Sequence, residues 1–210
     1  MTPPVGRIVI MTKEPAAGRV KTRLAPALID GGSERIHVAL VEETIRRARS
    51  TGLPCTVSLS GSLSSPFADR LREAGLTVEL QASGDLGERL AAALAGPGRR
   101  LVLGTDTPIF EPDWLLAALH APAPVVLGPS DDGGYWMMAL DAPCPGLFED
   151  IPWSTDAVAA TTMRRAAALG LAVTTAPTCY DIDEPADLRR LLDDPRCPPQ
   201  LRTIAAQQLR

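Results

Sequence analysis

Short apolar runs rich in β-branched and aliphatic residues recur along this chain, and stretches mixing charged with apolar residues at helical spacing separate them. Arg7 to Met11 carries Ile-Val-Ile and reads as a first strand ending at Thr12-Lys13. From Ser33 to about Arg49, Ile36, Leu40, Ile45 and Ala48 fall at roughly helical spacing, with Ser33 placed to cap the helix. Cys55 to Leu59 reads as a second strand, Pro66 to Ala74 as a helix ended by Gly75, and Thr77 to Leu80 as a third strand. Glu88 to Ala95 is rich in helix formers, so a helix begins near Gly87. Leu101 to Leu103 is a buried central strand, Pro112 to His120 a helix and Val125 to Gly128 a further strand. Tyr135 to Leu140 reads as a strand antiparallel to its neighbours. Trp153 to Asp156 leads into a helix through about Leu169, with Ser154 or Thr155 as its cap, and Leu171 to Thr175 is the last strand. Few architectures satisfy this alternation. It predicts an α/β fold with a mostly parallel, mixed sheet and helices on both faces.

With 210 residues and 45% hydrophobic content, the chain can bury a full core, and one domain over 1–210 is expected. Its core is expected over 6–194, and residues 195–210, rich in proline and then Gln and Ala, read as a C-terminal surface appendage. The 21 basic and 25 acidic residues leave a net charge of -4, which gives no bulk attraction to nucleic acid or anionic lipid. Cys55, Cys144, Cys179 and Cys197 are widely separated and form no C-x-x-C pair, against a disulfide framework or zinc site. The start of the chain lacks an apolar signal core behind a basic stretch, and no apolar run approaches membrane-spanning length. A cytoplasmic protein with small-molecule partners is the expectation.

Asp106 anchors the functional reading. It follows the central strand within Gly104-Thr105-Asp106-Thr107-Pro108, and open α/β sheets bind ligands at the carboxyl ends of their strands. A second stretch, Lys13-Glu14-Pro15-Ala16-Ala17-Gly18-Arg19-Val20-Lys21-Thr22-Arg23-Leu24, places four cations within eleven residues directly after the first strand. It reads either as a solvated basic loop or as a phosphate site, and its position tips the reading towards phosphate. Gly84, Asp85 and Gly87 form a tight loop at a helix start, where free N–H groups could meet an anion or a base edge. Simple capping by Asp85 competes with that. Asp131-Asp132-Gly133-Gly134-Tyr135-Trp136 reads as a hairpin turn or, with its acids and aromatics, as part of a substrate pocket. Asp181 and Asp183 precede a helix that starts at Pro185, and alternation points both to one side, where one or both could face Asp106. His37 and His120 fall in helices away from every motif and receive no role. Trp114 and Met11 read as core.

Taken together, K-x-P-x-x-G-R-V-K-T-R-L, G-D-L-G-E-R, G-T-D-T-P, G-P-x-x-D-G-G-Y, W-S-T and D-I-D-x-P-x-D-L resemble the DUF2064 family of glycosyltransferase-like proteins, in order over residues 13–188. More distantly the chain is similar to MobA-like nucleotidyltransferases, including 2-phospholactate guanylyltransferase. The resemblance implies a single-domain, Rossmann-like GT-A fold that binds a nucleoside triphosphate or nucleotide-sugar with Mg²⁺ or Mn²⁺. It implies Asp106 and Asp183 as metal ligands, with Asp181 the substitute, and Lys21, Arg23 and Asp106 as the catalytic set. Lys13, Gly18, Arg19 and Thr22 would hold phosphates, and Thr105 would line the same site. Gly84, Asp85 and Gly87 would sit near base or ribose, and Asp132, Gly133, Gly134 and Tyr135 would line the acceptor pocket. Nucleotidyl transfer to a small phosphorylated acceptor, with pyrophosphate release, ranks first. Glycosyl transfer from a nucleotide-diphospho-sugar is the alternative, and a non-catalytic nucleotide-binding module the third reading.

Overall fold

A computed structural model of the chain describes residues 6–16 and 18–210. The opening residues, where the sequence shows no signal core, and Ala17 of the basic loop lie outside them. Strands β1 (Arg7–Lys13), β2 (Cys55–Ser60), β3 (Thr77–Leu80), β4 (Arg100–Leu103), β5 (Val125–Pro129), β6 (Tyr135–Leu140) and β7 (Val173–Thr175) form one sheet. Its order is β3-β2-β1-β4-β6-β5-β7. All neighbours are parallel except β6, which runs antiparallel to both β4 and β5. The mostly parallel, mixed α/β sheet is therefore as the strand–helix alternation requires.

Helices α1 (Gly32–Ser50), α2 (Pro66–Glu73), α3 (Leu86–Ala93), α4 (Pro112–His120), α5 (Val158–Ala168), α6 (Pro185–Asp193) and α7 (Pro199–Gln208) complete the fold. Side-chain alternation along β4 sends Leu101 and Leu103 into a core with α1, α2 and α4, and Val102 into a second core with α3 and α5. Both faces are covered, which is why Ile8 to Met11 of β1 and Leu101 to Leu103 of β4 are consecutively apolar rather than alternating. From β1 the chain builds outward through β2 and β3, then returns to place β4 on the other side of β1. That reversal opens a crevice beyond the carboxyl ends of β1 and β4, the place where such sheets bind ligands.

A third core holds the crevice together. Leu24 at the end of the basic loop and Leu28 just beyond it, Ile36 and Leu40 from α1, Ile109 after β4, Ile182, and Leu188 and Leu191 from α6 are all buried in it. Leu201 and Ala205 of α7 are buried there as well, so the tail expected as a surface appendage forms a helix packed into the fold. Its proline and glutamine content hid an apolar face of one residue per turn. Two expected caps also differ. Gly31, at φ 71, precedes α1 in place of Ser33, which sits in the first turn and donates to Lys21 O at 3.2 Å. Helix α5 starts only at Val158, because Ser154 has φ 65, whereas a capping residue needs extended backbone, and Thr155 accepts from Ala157 N at 3.3 Å in a local turn. All four cysteines are free, and among the described residues no helix is long and apolar enough to cross a membrane.

The joint between α6 and α7 turns on Asp194. Its carboxylate accepts from Arg196 N at 2.9 Å, Arg196 Nε at 3.0 Å and Tyr180 Oη at 3.0 Å. The Arg196 hydrogen bonds hold it below the usual carboxylate range, at about 2. A group depressed in the folded state contributes stability above its ordinary 3.8 and loses it as pH falls through 2. Asp194→Asn should therefore lower unfolding free energy by about 1 kcal/mol at pH 7, discounted for the half-exposed arginine, with the gap to wild type closing near pH 2. Urea melts across that range measure it, and a gap independent of pH would contradict the ion-pair role.

Candidate active site

A cleft of about 560 Å³ lies beyond the carboxyl ends of β1 and β4. Its floor is the strand ends themselves, Met11 to Lys13 and Val102 to Asp106, and one wall is the basic loop from Arg19 to Arg23. The loop is not a loose surface excursion. Val20 is 4% exposed and Leu24 0% exposed, and these two anchors turn Lys21 between them towards the cleft. Arg19 N bonds Ala16 O at 3.0 Å, and Leu24 N bonds Lys21 O at 3.0 Å, so the segment is a succession of tight turns.

The ammonium of Lys21 sits between two carboxylates. It bonds Asp106 Oδ1 and lies 3.0 Å from Asp183 Oδ1, with its side chain only 4% exposed. Burial alone would lower the Lys21 pKa, but the charges of Asp106 and Asp183 and their hydrogen bonds outweigh it and hold the group above its ordinary value. Asp106 follows the same logic with opposite sign: burial opposes its ionisation, Lys21 overrides this, and its pKa falls. Arg23 Nη2 meets the second oxygen of Asp183 at 2.7 Å. Asp183 comes to this point because Ile182, fully buried, pairs its N–H with Asp106 O at 2.9 Å, tying the two carboxylate-bearing segments together. Asp181, on the other side of Ile182, accepts from the Thr107 hydroxyl instead, and burial with repulsion from Asp106, Asp132 and Asp183 raises it to about 6.

Lys13, Arg19, Lys21, Thr22, Arg23, Thr105, Asp106, Tyr135 and Asp183 thus line one cavity. Gly18, Gly84, Asp85, Gly87, Asp132, Gly133 and Gly134 lie outside its lining. Asp85 caps α3 in a reciprocal box with Glu88. Gly87 lets α3 approach the Phe148 carbonyl and the Trp153 ring, where a side chain would find 2.9 Å and 3.1 Å. At Gly133, φ 86, a side chain would run into the Asp156 backbone, and Ala159 N bonds the Gly133 carbonyl at 2.8 Å. Asp132 accepts from Gly134 N at 2.9 Å, so the acidic glycine turn is bound up in the β5–β6 hairpin and the start of α5. Trp136 points to the far face, stacked on Phe110 at 5.3 Å, while Tyr135 faces the cleft.

Several cleft residues carried no role in the sequence reading. His37, placed away from every motif, lines the floor and its Nε2–H donates to Lys13 O at 2.9 Å. The signal was present: Ser33 and His37 are four apart, two polar residues on the apolar face of α1, and both reach the basic loop. Met11, read as core, also lines the cleft, as do Gln81 and Arg89. Arg89 Nε donates to Gly84 O at 2.9 Å and so braces the loop before α3.

A family described as uncharacterized protein conserved in bacteria, DUF2064, matches residues 44–155. The chain belongs to the DUF2064 family. This DUF2064 protein is 29% identical, over 182 residues, to a 2-phospho-L-lactate guanylyltransferase of Methanothrix thermoacetophila, a match spanning 82% of this chain and 77% of that one. In fold it is similar to a protein of Desulfovibrio desulfuricans G20 provisionally named a nucleotide-diphospho-sugar transferase, with TM-score 0.85 at 20% identity over 96% of this chain and 94% of the other. A nucleotidyl transferase of Methanothermobacter thermautotroptrophicus shares the fold at TM-score 0.60 and 17% identity, over 90% and 96% of the two chains.

The Lys13 carbonyl at the end of β1 depends on His37, which burial pushes below its ordinary 6.5 and so keeps neutral at pH 7. His37→Leu would leave that carbonyl only the long 3.5 Å contact from the Thr12 hydroxyl and should cost about 1–3 kcal/mol of unfolding free energy. His37→Gln, which retains an N–H donor, should recover at least half. Equal losses in the two variants would show that the hydrogen bond carries no weight.

Proposed function

We propose that this DUF2064 protein is a metal-dependent nucleotidyltransferase, which moves the nucleotidyl group of a nucleoside triphosphate to a small phosphorylated acceptor and releases pyrophosphate. The observation that carries the reading is the basic loop: four cations, Lys13, Arg19, Lys21 and Arg23, line the cleft at the point where the sheet reverses its strand order. A triphosphate brings the matching negative charge, and guanidinium groups take phosphate oxygens in pairs. The guanylyltransferase relative acts on 2-phospho-L-lactate by its name, and a phosphorylated acceptor of that kind suits the same cleft.

The carboxylates fit a divalent cation. Asp106 and Asp183 both reach one point, as their shared hold on Lys21 indicates, and both offer hard oxygen donors. Two carboxylates are what Mg²⁺ or Mn²⁺ would take here, since such ions bind one or two carboxylates and complete their shell with substrate phosphate and water. When bound, the ion supplies positive charge at the phosphate oxygens. Lys13 and Arg19, without ion-pair partners among the described residues, bind and orient the outer phosphates, and Arg23 with Lys21 neutralises charge that grows on the departing pyrophosphate. An oxygen of the acceptor phosphate forms the new bond to the α-phosphorus as the bond to pyrophosphate breaks. Gln81, Arg89 and Tyr135, on the opposite wall, line the space left for base and acceptor. Four free thiols suit the reducing cytoplasm, where triphosphates are held.

The test separates phosphate binding from stability. Lys13→Ala and Arg19→Ala should each weaken triphosphate binding about tenfold, roughly the worth of one charge-assisted contact, while leaving the melting midpoint of the free protein unchanged. Titration calorimetry with ATP, GTP, CTP and UTP in Mg²⁺ measures it. Unchanged affinity would return the loop to solvated surface, and binding of nucleotide-sugars in preference to every triphosphate would replace this reaction with glycosyl transfer.

A further inference from the structure

We propose that Lys21 sets the order in which a divalent cation reaches the carboxylate pair: its ammonium holds the position a bare divalent ion would take, so the site admits that ion only together with triphosphate oxygens onto which Lys21 can shift. This rests on the nucleotidyltransferase reading and adds an order of binding to it.

The loop is built to aim this one side chain. Lys21 has φ 47, a left-handed backbone that a residue with a side chain adopts at a cost and keeps only where its surroundings hold it. They do so here: Leu24 N and Ser33 Oγ both donate to its carbonyl, at 3.0 Å and 3.2 Å, and its neighbour Val20 and the nearby Leu24 are buried. The result is a nearly buried ammonium bonded to Asp106 Oδ1 and 3.0 Å from Asp183 Oδ1. Arg23 occupies the remaining oxygen of Asp183 at 2.7 Å. Every inward oxygen of Asp183 is thus already engaged by a cation.

A hydrated divalent ion entering this pair must shed water, which Mg²⁺ does reluctantly, and must also displace a nearly buried ammonium from the two carboxylates that hold it. Triphosphate changes both terms. It offers the ammonium new charged oxygens along the same wall, and it offers the ion the phosphate ligands that two carboxylates cannot supply. Metal and nucleotide should therefore enter as one complex.

Mn²⁺ alone, followed by electron paramagnetic resonance, is the probe. Lys21→Met should bind Mn²⁺ at least tenfold tighter than wild type without nucleotide, and Asp183→Asn in that background should remove the gain. Lys21→Gln, which removes the charge but keeps a polar, hydrogen-bonding end, guards against misfolding. In both variants Mn²⁺ should raise the thermal midpoint while leaving wild type unmoved, and a variant that folds only with Mn²⁺ gives the same answer. If wild type binds Mn²⁺ as tightly as the variants, yet still binds Mn²⁺ with one of ATP, GTP, CTP or UTP, this inference falls and the nucleotidyltransferase reading stands. If no triphosphate binds with Mn²⁺, both fall.

Discussion

The contact of one lysine ammonium with two carboxylates from distant parts of the chain is the constraint on which the rest of this structure converges. Asp106 comes from the end of β4, Asp183 from the segment before α6, and Lys21 from the loop after β1. Like charges so close together are unfavourable in a half-buried cleft, and the lysine relieves that. Each element must therefore be delivered to within a few tenths of an ångström, and the fold is arranged to do so. Strand order brings β1 beside β4, and the backbone bond between Ile182 and Asp106 brings the third segment in.

The small core beneath the cleft explains how these loops stay in place. Leu24, Ile109 and Ile182 each lie within a few residues of a charged member of the site, and all three are fully buried together with α6 and α7. Loops that carry chemistry are commonly mobile; these are nailed down by alternate residues that point inward. The helix at the end of the chain belongs to the same cluster. Its removal would act on the cleft through the packing of Leu24 and Ile182, not through any direct contact with it.

Much of this was legible in the amino-acid order, and the parts that were not have a common cause. Periodicity marks the strands and helices because both sheet faces are covered, so the middles of β1 and β4 read as short apolar runs and α1 as an amphipathic stripe. The basic loop and Asp106 could be singled out because charge directly after a buried strand has few structural uses. What pattern cannot convey is which face of a turn looks into the crevice. Asp132, Gly133 and Gly134 have the chemistry of a ligand loop, yet their hydrogen bonds go to Ser130, to Gly134 itself and to α5, a packing that depends on a helix distant in sequence. His37 is the converse case: its pairing with Ser33 on the apolar face of α1 marks a polar contact there, but only the approach of α1 to the end of β1 puts it in the cleft. The apolar face of α7 is too sparse to read without its partners.

A double-mutant cycle on Lys21→Met and Asp183→Asn, read as unfolding free energy in urea, tests most directly whether the ammonium truly binds the site together. The account predicts that the two losses are strongly non-additive, with a coupling of about 1 kcal/mol or more, as residues sharing one buried network show. Additive losses, with coupling near zero, would mean that Lys21 and Asp183 stand near each other without holding each other, and the central contact of the cleft would have to be sought elsewhere.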